Sequence, residues 1–229
     1  MMVYRYLNEQ YALEALQTKT WKVGRLLELN DPADCQPILV NAPPQNTPEE
    51  ETSFATRYLS GLYEDVGVVC FSNEITDPVI WSHYADSHRG IALGFDFDPG
   101  SGDTLHKVTY QDCRPTIDYQ IAQGLRPEGQ VTPAFIDKVI KYGFTYKAPS
   151  WAYEKEYRRF VWLGSPSITM KGAHYFEHFM TAPDRVVLGV RCRLTESDIV
   201  RAGGSYGCRF DRNNFCQAKL DRISYTLKV

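Results

Sequence analysis

A chain of 229 residues with 25 basic and 28 acidic side chains, formal charge −3, can bury a substantial core and has no overall attraction for nucleic acid, though a local basic patch stays open. No apolar run approaches a bilayer span and no charged-then-apolar leader precedes Val3, so a soluble cytoplasmic protein without a membrane partner is expected. Six cysteines, at 35, 70, 113, 192, 208 and 216, lie at scattered spacings without a C-x-x-C pair, which fits reduced thiols better than a disulfide frame or a zinc ribbon.

In chain order, Val3 to Leu7 (VYRYL) reads as a strand with Arg5 between two tyrosines, and Asn8 caps a short helix carrying Tyr11, Leu13 and Leu16. Residues 21–29 continue as strand or extended chain bent at Gly24, and Asn30-Asp31-Pro32 is a turn. A loop with three prolines spans 41–48. Thr47-Pro48-Glu49-Glu50 then has the form of a capping box before a helix with Phe54, Tyr58 and Leu62. Val68-Val69-Cys70-Phe71 reads as a buried strand ending at Ser72. Asp77 and Pro78 begin a helix through Trp81, Ser82, His83 and Tyr84 that stops near Arg89-Gly90.

A second strand follows, in which Ile91, Leu93, Phe95 and Phe97 alternate with Ala92, Gly94, Asp96 and Asp98. A turn at 99–103 leads to a strand over 105–110, and Thr132-Pro133 opens a helix with Phe135, Ile136, Val139 and Ile140 on one face. Residues 151–163 enter a strand in which Glu154, Glu156, Arg158, Phe160 and Trp162 share one parity. Residues 185–190 form a late strand, Thr195 caps a short helix, and 223–228 form a closing strand. Strands and helices without regular βαβ alternation imply the α+β class; the length admits one large domain or two small ones, and one domain over 1–229 is expected.

Three constellations carry chemistry. His174-x-x-Glu177-His178 has the spacing of an inverted zinc-peptidase motif, but few residues remain downstream to supply a third ligand, so solvent-facing histidines in a loop or short helix are expected and no metal. His83 and His88, five apart, do not share a helical face, so they make no zinc pair; either could be a general base, a ribose contact or a satisfied, partly buried histidine. Glu154 and Glu156, two apart on a strand, would face one way. Burial beside a like charge splits carboxylate pKa values, as glycosidic-bond chemistry requires, whereas on an exposed edge the same residues would simply pair with Lys155, Arg158 or Arg159.

Taken together, YRYL, LLELNDPADC, CFS, WSHYADSHRGIALGF and WAYEKEYR resemble a bacterial family catalogued as domain of unknown function 2971. The layout is similar to the ADP-ribosyltransferase superfamily of the arginine, serine, glutamate type. There an aromatic-Arg opens the first strand, an aromatic-Ser sits on a middle strand, and Glu-x-Glu precedes a later one. Here those elements are Tyr4-Arg5, Phe71-Ser72 and Glu154-Lys155-Glu156. Where arginine-type members carry Ser-Thr-Ser, this chain has Phe71-Ser72-Asn73.

The resemblance implies two small, mainly antiparallel sheets flanked by helices, with NAD as co-substrate in the cleft between them. Arg5 would bond its pyrophosphate or ribose, Ser72 would fix the nicotinamide ribose, and Tyr84 or Trp81 could stack on a ring. His83 and Arg89 would lie on the same wall. Glu156 would meet the ribose 2′-hydroxyl and the positive charge left as nicotinamide departs, and Glu154 would orient or deprotonate the acceptor. The implied activity is ADP-ribosyl transfer to a protein or nucleic acid, as in a toxin or phage-defence effector. Plain NAD hydrolysis, or a non-catalytic module binding a nucleotide or nucleic acid, are the alternatives.

Overall fold

The computed structural model describes all residues except 46, 99–103, 125–131, 179–180 and 205–213; the expected turn at 99–103 and Cys208 lie outside the described residues. Ten strands hydrogen-bond into one main sheet: β1 (Met2–Leu7), β2 (Thr20–Arg25), β3 (Val66–Ser72), β4 (Ile91–Asp96), β5 (His106–Lys107), β6 (Glu156–Trp162), β7 (Ile168–Lys171), β8 (His174–His178), β9 (Arg185–Leu188) and β10 (Phe215–Gln217). Among the described residues the remaining pairs are short two-stranded ones. A mixed architecture of strands and helices is therefore observed, but its strands join one large sheet instead of two small ones. None of the described helices is long and apolar enough to cross a membrane.

β3 is the hub. All seven of its residues pair with β6, from Val66↔Trp162 to Ser72↔Glu156. Its other edge is divided, with β2 pairing at Gly67 and Val68 and β1 pairing at Ser72. β1 and β2 therefore diverge along β3 and leave an opening beside Cys70. The apolar run exists because both faces of β3 are covered. Val69 and Phe71 join one core with Trp21, Leu93 and Leu163, while Val66 and Val68 join another with Leu62, Phe135 and Phe144. A third cluster packs Tyr4, Tyr6, Ile80 and Trp81.

The helix signals hold at their starts. Asn8 accepts from the Tyr11 amide at the head of α1 (Glu9–Thr18), and Thr47 accepts from Glu50 at the head of α2 (Pro48–Tyr58). After α3 (Ser60–Asp65), Asp77 caps α4 (Pro78–Tyr84) through the Val79 amide. Leu16 of α1 is buried whereas Tyr11 is 52 % exposed.

Several boundaries differ from expectation. Gly24 lies inside β2 where its pairing passes from β8 to β3, and β2 gives way to a 3₁₀ turn at Leu26–Glu28. α4 ends at Tyr84, not near Arg89, because Asp86, Ser87 and His88 turn left-handed in succession. The expected strand over 105–110 is two short pieces either side of Val108. Residues 149–154 form a 3₁₀ turn, and Lys155 at φ 44° separates it from β6. The closing strand shrinks to Leu227–Lys228, with Ile223 and Tyr225 in solvent. His174–His178 is a strand in which Glu177 pairs with Arg159, neither loop nor helix.

Gly90 locates the tightest approach in this framework. A Cβ there would lie 2.1 Å from the Leu7 carbonyl oxygen, which is backbone and cannot rotate away. Gly90→Ala should therefore cost about 1–3 kcal/mol, lowering the melting temperature by about 2–12 °C as read by circular dichroism.

Candidate functional site

The divided edge of β3 opens onto a cavity of about 300 Å³. Its walls include Arg5, Asn30, Asp34, Cys70, Ser72, Tyr84, Lys147, Glu154 and Glu156. Tyr4 and Glu156 both pair with Ser72, so these three share a sheet face. Arg5 has the opposite parity. Its guanidinium reaches the cavity through the opening between β1 and β2, where Nη1 donates to the Cys70 carbonyl at 2.6 Å and Nη2 to the Lys22 carbonyl at 3.4 Å. Its Nε is buried with no partner among the described residues, and burial lowers its pKa.

The left-handed Lys155 means that Glu154 and Glu156 do not share a strand face; the first ends a 3₁₀ turn and the second begins β6. They converge nonetheless, because Lys147 reaches both, Glu154 at 2.7 Å and Glu156 at 3.4 Å. Glu154 takes a further short hydrogen bond from the Tyr84 hydroxyl, which accepts from Asn30 at 3.0 Å. Its main-chain carbonyl accepts from Ser72 Oγ at 2.5 Å. Ser72 therefore clamps the turn carrying Glu154.

Behind the cavity wall lies Arg158, fully buried. Its Nε and Nη2 donate to the two Glu156 oxygens at 2.8 and 2.9 Å, and Nη1 and Nη2 donate to the two Asp34 oxygens at 2.7 Å each. The fifth N–H takes the Phe144 carbonyl at 2.8 Å, the orphan acceptor at the end of a π-helical turn, Ile140–Phe144. Three buried carboxylates thus meet two buried cations, with the Arg5 guanidinium nearby.

The surroundings shift the two glutamates in opposite directions. Burial alone would raise Glu156, but Arg158 and then Lys147 outweigh it and hold the carboxyl at about 2. Burial raises Glu154, and Lys147 and Tyr84 only partly offset it. Burial followed by the Glu154 charge also raises the Tyr84 hydroxyl. The site therefore offers one permanent anion beside one carboxyl whose proton affinity is enhanced.

Of the residues expected at a site, Arg5, Ser72, Tyr84, Glu154 and Glu156 meet at this cavity. Trp81 does not: it is wholly buried, packs edge-on against Tyr6 at 5.1 Å and donates to the Ile75 carbonyl, so it is core rather than a stacking platform. His83 points into solvent against Tyr153, and Arg89 is exposed beyond the end of α4; neither lines the cavity. Sequence reasoning missed Asp34 and Lys147 altogether, and treated Arg158 only as an edge partner. The one available signal was the acidic turn NDPAD, whose second aspartate ends up buried.

Residues 80–159 are similar to the family described as protein of unknown function (DUF2971). No curated protein and no solved structure matches the chain. The matched span contains Tyr84, Lys147, Glu154, Glu156 and Arg158, whereas Arg5, Asp34 and Ser72 precede it.

Arg158→Met should expose the cost of this network. It leaves Asp34 and Glu156 buried against one remaining cation, a loss of about 3–5 kcal/mol measurable by urea unfolding. The acid response should change with it. A carboxyl held near 2 contributes stability that is full above about pH 4.5 and fades as the pH falls towards 2. Wild-type melting temperature should drop through that window, and the variant should lose part of that dependence, keeping the share due to Glu74, which is also held at about 2.

Proposed function

We propose that the chain is an NAD-consuming ADP-ribosyltransferase acting at this cavity. The observation that carries the reading is the convergence of Arg5, Ser72 and the Glu154–Glu156 pair, from three distant stretches of sequence, on one cavity, where Arg158 lowers the pKa of one carboxyl and burial raises that of the other. A volume of about 300 Å³ is at the small end for ligand sites and suits the nicotinamide-ribose end of the dinucleotide rather than the whole.

In this reading the C1′–N1 bond of NAD breaks and its electron pair neutralises the pyridinium ring. The ribose is left as an oxocarbenium ion, and the permanently ionised Glu156 stabilises that charge. Glu154, with its raised proton affinity, takes the proton from the attacking hydroxyl or amine of the acceptor. Ser72 holds the Glu154 turn in place, and Tyr84 orients the carboxylate through its hydroxyl. If water attacks in place of the acceptor, the same steps hydrolyse NAD.

One observation favours a second reading, a non-catalytic nucleotide-binding module. Both Glu156 oxygens are already engaged by Arg158, which weakens the field that the carboxylate can direct at a ligand.

The deciding experiment incubates the protein with NAD and cell extract, following free nicotinamide and labelled ADP-ribose on macromolecules. Glu154→Gln keeps the shape and should reduce transfer about 10²–10⁴-fold while nicotinamide release persists. Glu156→Gln should abolish release, but it also unpairs Arg158, so its effect counts only where its melting temperature shows that it is folded at the assay temperature. A wild type that releases no nicotinamide would overturn the transferase and hydrolase readings together and leave the binding module.

A further inference from the structure

A second cavity, of about 370 Å³, shares only one lining residue with the first, and that residue is Arg5. Its walls come from β1, from the β2–β8–β7 edge of the sheet and from α1. Register sets their chemistry. Lys22 pairs with Phe176 and Lys171 pairs with His174, while His174 and Phe176 are two apart on β8, so all four side chains share one face. Tyr11 and Glu14 of α1 also line it.

Charge and shape both select the ligand. In a chain of net charge −3, three cations (Arg5, Lys22 and Lys171) surround this space against one carboxylate, Glu14. Lys22 has no ion-pair partner among the described residues. Lys171 meets Glu14 at 3.2 Å in an exposed pair that a phosphate can readily replace. The same space is flanked by Tyr11, 52 % exposed, and the half-buried ring of Phe176. Several converging donors suit a phosphate oxygen cluster, and ring faces beside them suit a base.

We propose that this second cavity binds a nucleotide phosphate, with Lys22 and Lys171 on the phosphate and Tyr11 and Phe176 beside the base. The source is either a free nucleotide or a nucleotide unit in a single strand. The proposal stands apart from the NAD chemistry, because the residues it tests, Lys22 and Lys171, do not line the first cavity and its test contains no NAD.

Fluorescence anisotropy with labelled single-stranded DNA and RNA of about twelve nucleotides, and with a labelled AMP, tests it. Binding of at least one probe by the wild type is expected. AMP displacing the strand identifies the free-nucleotide source, and displacement only by unlabelled strand identifies the nucleic-acid source. The double variant Lys22→Ala/Lys171→Ala, both exposed positions, should bind at least tenfold more weakly. For a strand, the slope of log K against log salt should flatten by about 1.4, roughly 0.7 for each phosphate that a lysine no longer neutralises. Lys138→Ala/Lys141→Ala removes two cations beside exposed Tyr142, outside this cavity, and should change nothing. No binding of any probe, unchanged binding by the first variant, or an equal loss in the second would overturn the proposal.

Discussion

The buried guanidinium of Arg158 is the constraint on which the site depends. An arginine taken wholly out of water is tolerable only if every N–H finds an acceptor and its charge is matched, and here all five do. The acceptors come from three separate stretches: Asp34 after the first turn, Glu156 at the start of β6, and the carbonyl of Phe144. Satisfying one side chain thereby ties together the turn after β2, the π-helical turn and the β3–β6 pair. Lys147 extends the network, standing 3.8 Å from Asp34, between Glu154 and Glu156, and 4.6 Å over the Trp151 ring.

The cavity itself is a consequence of sheet geometry. β6 occupies the whole of one edge of β3, while β1 and β2 divide the other edge between them and splay apart. Backbone acceptors in such an opening need partners, and the Arg5 guanidinium provides them at Cys70 and Lys22. A cation therefore stands at the junction of two cavities with opposite lining charge. The carboxylate-rich one favours positive charge, and the lysine-rich one favours negative charge.

The paired glutamates illustrate how environment, not residue type, divides roles. Both are about 5 % exposed, and both touch Lys147. Only Glu156 also has Arg158, so it stays ionised, whereas Glu154, whose other partners are a hydroxyl and the shared lysine, is dominated by desolvation. The Glu-x-Glu pattern alone does not give this division, which comes from Arg158 two residues further along β6 and from the burial of both.

What the sequence determined by itself was local. Asn8, Thr47, Asp77, Thr132 and Thr195 each cap the helix they precede, since a short polar side chain bonding an amide two or three residues on needs no tertiary partner. The apolar run at Val68–Phe71 and the alternation from Ile91 likewise sit in strands, as side-chain burial requires. Arg5, Ser72 and Glu156 lie on β1, β3 and β6, which meet at Ser72 through pairing that no local pattern encodes. The tertiary structure alone decided the rest. It turned Lys155 left-handed, buried Trp81 where a ligand contact was expected, and left His83 and Arg89 facing solvent. It also brought Asp34 across 124 residues to Arg158. Glu156 and Arg158 lie two residues apart, but the burial that makes their pairing matter, and the Asp34 that completes it, come from packing across the chain.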